Sequence, residues 1–211
     1  MHARAKSLIV GLAMAFGTAH ANLLVNGGFE VPAFPDNGGH FIHLTGTGLT
    51  SWTSFSTFAG VVLFNTSYDP VTEGLQAVQI EVPGDSISQT FATVIGATYR
   101  LSFDMSAFTG YGGPGRGGAP CPCTSLLDVG VGPVNASFGS SSAGFVTHTL
   151  DFMAAASTTT LTFTNPSIPV AIGNYPHIDN VSIVAVPEPE TYALMIAGLG
   201  ALGFVARRRR V

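Results

Sequence analysis

Tyr99-Arg100-Leu101-Ser102-Phe103-Asp104-Met105 alternates apolar and polar side chains without interruption. A strand turns successive side chains to opposite faces, so this stretch can bury Tyr99, Leu101, Phe103 and Met105 on one side and offer Arg100, Ser102 and Asp104 to the other. The same period recurs along the chain at Ala77–Val82, Ser86–Phe91, Phe145–Phe152 and Thr160–Thr164. Glycine, proline, asparagine and aspartate separate these segments, and no window between Asn22 and Val186 carries the helical period. The expected fold is all-β, an antiparallel β-sandwich. Two long turn-rich connections interrupt it, Val31 to Leu49 and Thr109 to Pro122. Long ordered loops on a rigid sandwich often carry function. No repeat in the range of about 20 to 50 residues is visible, which argues against a propeller or solenoid.

The ends differ from this body. Met1 to Ala21 holds Arg4 and Lys6, an apolar run from Ser7 to Thr18, and Ala19-His20-Ala21 before Asn22. A basic start, a short apolar stretch and a small-residue site describe a Sec-type signal peptide over residues 1–21, with cleavage expected after Ala21. At the other end, uncharged residues from Tyr192 to Ala206 lead into Arg207, Arg208, Arg209 and Arg210. Positive charge flanking an apolar helix stays on the cytoplasmic side. Residues 192–206 therefore read as a short transmembrane helix with the four arginines as its cytoplasmic basic anchor. At about 1.5 Å per residue the run covers about 22 Å of a hydrocarbon layer near 30 Å, so the expected insertion in the inner membrane is transient. Val186-Pro187-Glu188-Pro189 precedes it as a stiff extended spacer.

Between the ends lies a body long enough for one domain with a substantial core, assigned to residues 22–185. From Asn22 to Val186 there are seven Asp and three Glu against Arg100 and Arg116, a net charge of −8. The value of −4 for the 211-residue chain hides this, because the other basic residues sit in the ends. Such a body is a poor partner for nucleic acid. Isolated carboxylates suit cations, neutral glycans or simple solubility.

Few residues offer chemistry. Cys121 and Cys123 form Cys-Pro-Cys in a glycine-rich stretch. A loop-local disulfide, free or intermolecular thiols, and a metal site all remain open there. His40 and His43 lack a helix to align them and a third ligand at regular spacing, so a solvated loop is the better reading. Trp52 is the sole tryptophan and stands in a strand-like stretch, which places it in the core. Tyr68 and Tyr111 sit among loop residues and are the candidate platforms for stacking on a sugar. No Gly-x-Ser-x-Gly elbow is present, and the scattered acids reveal no catalytic pair. The expectation is a protein that is not an enzyme.

Two resemblances add to this reading. Val186-Pro187-Glu188-Pro189, the short helix and the arginine cluster together resemble the PEP-CTERM sorting signal of Gram-negative bacteria, over residues 186–211. The resemblance implies processing by an exosortase, with Glu188 as a processing determinant. The body resembles galactose-binding-like jelly rolls, particularly exported choice-of-anchor domains, their plant cell-wall relatives and carbohydrate-binding modules. The words that carry it, in order, are Asn22 to Glu30, Ser51-Trp52-Thr53, Glu73 to Val78, Ile87 to Phe91 with Gly96 to Tyr99, and His177 to Ile183. That family implies an eight-to-ten-strand sandwich, carbohydrate association, and a structural calcium ion held at the positions of Glu30 and Asp179.

The function expected is that of an exported protein of the cell envelope or extracellular matrix. It would bind exopolysaccharide or another glycan in a biofilm, after passing through the inner membrane and an exosortase. A structural matrix component without a small ligand, and a cryptic polysaccharide hydrolase, are the alternatives.

Overall fold

Eleven strands and one helix make up the described residues of the computed structural model, which are 21–34, 39–56, 60–107, 124–142, 144–166, 175–187 and 189–208. The strands are β1 (Phe41–Leu44), β2 (Thr53–Phe55), β3 (Val61–Asn65), β4 (Gln76–Gln79), β5 (Ser86–Ala92) and β6 (Thr98–Ala107). They continue with β7 (Ser125–Val131), β8 (Val134–Ser140), β9 (Val146–Met153), β10 (Thr158–Thr164) and β11 (Pro176–Ala185), followed by α1 (Pro189–Arg208). Six strands form one sheet in the order β1-β3-β4-β11-β6-β9, and five form the other in the order β2-β5-β10-β7-β8. Every pairing is antiparallel. The body is an antiparallel β-sandwich, as the alternation predicts, with the jelly-roll form that the resemblance implies.

The apolar half of the opening stretch behaves as expected within β6, while Asp104 on the other face is buried, accepting from Thr147 Oγ1 and Asn180 Nδ2. Tyr99, Leu101, Phe103 and Met105 are buried between the sheets, while Arg100 points out and makes a two-pronged pair with Asp151 on β9. The core joins Phe29, Trp52, Phe103 and Phe163, with ring centroids 5.4 Å apart for Phe29–Trp52 and 5.1 Å for Phe103–Phe163. Strand β3 departs from alternation because both of its faces are covered. Val61 and Leu63 enter the main core, whereas Val62 and Phe64 join Ala77 in a second cluster packed by Tyr68, Val71 and Phe145.

The N-terminal stretch seals one end of the sandwich. Leu23 N–H donates to the Ile183 carbonyl and Val181 N–H to the Gly27 carbonyl, each at 2.9 Å, so the segment runs against β11 of the six-stranded sheet. It also ties to the other sheet, where the Gln89 side chain on β5 accepts from Val25 N–H at 2.8 Å and donates to the Val25 carbonyl at 2.9 Å. The register of β11 shifts between Asp179 and Ser182, and Asn180 there takes a φ of 51°. Asparagine tolerates this left-handed backbone better than most residues.

The expectation of a transmembrane helix over residues 192–206 is corrected, and with it inner-membrane insertion, inner-membrane anchorage and the cytoplasmic role of Arg207 to Arg210. No helix among the described residues is long and apolar enough to cross a membrane. Helix α1 has 20 residues, but these include Glu190 and Thr191 at its start and Arg207 and Arg208 in its last turn. Seven of the fifteen residues from Tyr192 to Ala206 are glycine or alanine, which bring little apolar surface. Arg207 and Arg208 complement the negative end of the helix dipole.

A Cβ at Gly27 would lie 1.9 Å from the Val181 carbonyl oxygen, a backbone atom that cannot swing aside. Gly27→Ala is therefore expected to lower the unfolding free energy by about 3 kcal/mol in urea denaturation, the upper range for overpacking. Gly200→Ala, where nothing lies within 4 Å, should not lower it. Equal losses in the two variants would show that the opening segment is not fixed against β11.

Candidate functional site

The apolar strand β3 gives way at Asn65 to a polar connection that runs to β4. The Asn65 side chain starts the turn, accepting from Ser67 N–H at 3.0 Å, while its carbonyl accepts from Tyr68 N–H at 2.8 Å. Tyr68 is half-buried and leans on Phe64 and Phe41, with ring centroids 5.5 Å and 5.3 Å away. The far end of the connection is held by two carboxylates. Asp179 Oδ2 accepts from Thr72 N–H at 2.7 Å, Thr72 Oγ1 at 3.0 Å and Glu73 N–H at 2.9 Å, and its Oδ1 accepts from Asn180 N–H at 2.7 Å. Glu30 Oε1 accepts from Leu75 N–H at 2.7 Å and Gln76 N–H at 2.9 Å. Gly74, with φ of 64°, lies so close to Glu30 that a Cβ there would come within 2.3 Å of Oε1.

Beside this anchored turn opens a cleft of about 470 Å³. Phe34 and Leu75 supply apolar wall, and Glu30, His40, Asn65, Ser67 and Gln76 supply polar groups. Gln76 is itself locked, donating to the Phe29 carbonyl at 2.7 Å and the Pro32 carbonyl at 3.1 Å while accepting from Phe34 N–H. Gln76 is thus the bolt between the opening segment and the cleft. An apolar wall with a few fixed polar groups, in a volume of this order, suits a small ligand or a sugar unit.

Behind Tyr68 the outer face of the six-stranded sheet carries buried polar groups. His177 Nε2 lies 2.8 Å from Gln79 Oε1, and its ring packs on Phe64 at 4.6 Å. Its Nδ1 is 3.5 Å from Asp69 Oδ2. Charge opposition at that distance would favour an ion pair, yet complete burial pushes the imidazole down to about 3, and burial pushes Asp69 up to about 6. Desolvation prevails for a ring with no solvent contact, so His177 is neutral at physiological pH. Asp179 is likewise pushed up to about 6 by burial, against the lowering effect of the Glu73, Thr72 and Asn180 hydrogen bonds.

Glu30 and Asp179 do meet, in that both hold the segment from Thr72 to Gln76. Both oxygens of Asp179 and Glu30 Oε1 accept from N–H and O–H donors, the arrangement of an anchored turn. Among the described residues no group of three or more His, Cys, Asp or Glu could hold a metal ion. Tyr111, Cys121, Cys123, Glu188, Arg209, Arg210 and residues 1–20 lie outside the described residues. Val186 and Pro187 follow β11, and Pro189 begins α1. His40 lines the cleft, while His43 on β1 lies 3.9 Å from Glu81. Trp52 is in the core, its Nε1–H donating to the Asn26 carbonyl at 3.0 Å. Phe34, Asn65, Ser67 and Gln76 escaped sequence reasoning. The polar triplet Asn65-Thr66-Ser67 directly after an apolar strand was the signal available.

Residues 22–184 match the family model described as "Protein of unknown function (DUF642)". Residues 185–210 match the PEP-CTERM protein-sorting motif. No curated protein matches the chain. Similar solved structures include the module TmCBM61 in complex with β-1,4-galactotriose, at 14% identity over 79% of this chain and 99% of that chain, with a TM-score of 0.49. They also include the CBM22-1 xylan-binding domain from Paenibacillus barcinonensis Xyn10C, at 14% identity over 71% and 93%, with a TM-score of 0.47. A family 16 carbohydrate-binding module shows 16% identity over 77% and 99%, with a TM-score of 0.44.

Two measurements check the role of Asp179. Asp179→Ala strips acceptors from three backbone N–H groups and a hydroxyl, and is expected to destabilise by about 3 kcal/mol. A calcium-dependent rise in melting temperature that this variant abolishes would assign a structural ion to the site as well. The pH dependence follows from the raised acid. A folded-state value near 6 against an unfolded value of 3.8 means the folded protein holds the extra proton between these limits. This group's contribution to stability is therefore lost as pH rises from about 4 through 6. Asp179→Asn cannot titrate, so its stability relative to the unsubstituted protein should improve as pH rises from 4 to 7; a gap independent of pH would contradict the assignment.

Proposed function

We propose that this chain, which belongs to the DUF642 family, is an exported glycan-binding protein of the cell envelope or extracellular matrix. The observation that carries the reading is the cleft, where an apolar wall of Phe34 and Leu75 faces His40, Ser67 and Glu30. Glu30 Oε1 is committed to the turn, which leaves Oε2 to accept from a sugar hydroxyl. His40 and Ser67 are exposed and can donate or accept. Tyr68 contributes by holding the connection over Phe64 and Phe41, and less as an open platform than its loop position implies.

The PEP-CTERM motif supports exosortase as the processing partner. Cleavage after Ala21 would begin the mature chain at Asn22, whose side chain is already employed. Its Oδ1 accepts from Leu24 N–H and Ile183 N–H, and its Nδ2 donates to the Val181 carbonyl. Binding at one such cleft is expected to be weak and to gain from many copies on one polymer.

The purified protein should be retained on a column of matrix exopolysaccharide and release no reducing ends from it. His40→Ala and Ser67→Ala should each weaken retention about tenfold, the equivalent of about 1.4 kcal/mol for a lost hydrogen bond. Trp52→Phe, altering a core residue away from the cleft, should leave affinity intact. Absence of retention on every matrix polysaccharide would favour the purely structural role, and reducing ends above a boiled control would make the protein a hydrolase.

A further inference from the structure

The outward face of the five-stranded sheet carries a second depression, of about 570 Å³, on β7, β8 and β10. It shares no residue with the cleft and lies on the other sheet. We infer that this groove is a second binding site, which takes an extended uncharged polysaccharide chain lying across the strands.

The register shows how the groove is built. Strand β10 turns Leu161 and Phe163 into the core, so Thr160, Thr162 and Thr164 face outward. Thr162 stands opposite Gly130, which stands opposite Asn135; Thr164 stands opposite Asp128, which stands opposite Ser137. The floor is low because Gly130 has no side chain there, and a Cβ would come to 3.0 Å from Asn135 Oδ1. Both rows continue to the far edge of the sheet. The first runs through Ser88 to Thr53, and the second through Ser86 to Phe55. Four inter-strand steps of about 4.8 Å make a track about 19 Å long. That is the shape of a linear chain, not of a single compact ligand.

The chemistry selects the occupant. The track is lined by hydroxyl and amide groups that can both donate and accept, which matches a ligand made of hydroxyls. Among the described residues Asp128 is the one charged lining residue, and its Oδ1 already accepts from Ser137 Oγ at 2.6 Å. Among the described residues no cation lines the groove to meet a uronate, sulfate or phosphate, and the body carries net negative charge, so anionic polymers are disfavoured. At the end of the second row Phe55 is 61% exposed, a flat apolar face on which a sugar ring can stack. A peptide partner would find little apolar surface elsewhere on this track.

Affinity electrophoresis of the purified protein tests the assignment, with gels holding a soluble mixed-linkage β-glucan, galactomannan or alginate. At least one neutral polymer should retard the protein, and alginate should not. Thr162→Val with Thr164→Val keeps shape and removes the hydroxyls; it should weaken the affinity at least tenfold while the melting temperature holds. Phe55→Ala, at an exposed edge position, should weaken it severalfold and decides the matter should the double variant melt early. His40→Ala with Ser67→Ala should leave residual retardation that the threonine substitutions then remove. Retardation by alginate alone, by no polymer, or unchanged in both groove variants would overturn the groove. Loss in the cleft variant with none in the groove variants would retain the cleft and remove this second site.

Discussion

Asn22–Glu30 is fastened to both sheets at once, and the rest of the molecule is built around that fastening. Within it Asn26 closes a tight knot: its Oδ1 accepts from Val31 N–H at 2.9 Å, its Nδ2 donates to the Val31 and Thr50 carbonyls, and its own carbonyl takes the Trp52 indole. The knot drives Phe29 into the core against Trp52, at the expense of a φ of 58° at both Asn26 and Phe29. A phenylalanine in this region is strained, and it persists because the surrounding contacts over-determine it. The ring is wholly buried, so the strain is set against the burial of a large aromatic side chain.

The fastening extends directly into the cleft. Glu30 follows Phe29 and holds Leu75 and Gln76, and Gln76 in turn holds the Phe29 and Pro32 carbonyls. Asp179 sits next to the irregularity in β11 that accommodates the opening segment, and grips Thr72 and Glu73. Asp179 and Glu30 Oε1 therefore position backbone. What they deliver is a rigid rim on which Asn65, Ser67 and His40 present their groups, and a pre-ordered rim loses less entropy when a ligand binds.

The alternation over Tyr99–Met105, Ser86–Phe91 and Phe145–Phe152 made three of the longer strands legible. Strand β3 was not, since a run such as Val61–Phe64, buried on both sides, carries no period of two. Strands β7 and β8 were hidden by small residues: Gly130, Ala136 and Gly139 blur the contrast between faces on which alternation depends. The five short words that suggest the family proved to be parts of the frame. Asn22 to Glu30, Trp52, the turn from Glu73 to Gln76, Gln89 and Asp179 with Asn180 are joined to one another by hydrogen bonds or ring contacts. Recurrent words therefore pointed to the sandwich and away from the groups that line the cleft. Those groups come from residues distant in sequence, gathered by the pairing of β1, β3 and β4 and by the hydrogen bonds of Glu30 and Gln76. At the C-terminus, lack of charge suggested a membrane helix, but a stretch rich in glycine and alanine can be uncharged without being sufficiently apolar.

The central claim is that the sandwich recognises glycan through surfaces that its frame positions. Chemical-shift mapping of backbone amides in the ¹⁵N-labelled protein, titrated with a neutral oligosaccharide, tests it most directly. The account predicts saturable shifts at Gly39, His40, Thr66, Ser67 and Leu75, with a second set at Gly130, Asn135 and Thr162, while Asn26 and Trp52 stay still. Shifts confined to other surfaces, or none at saturating sugar, would contradict it.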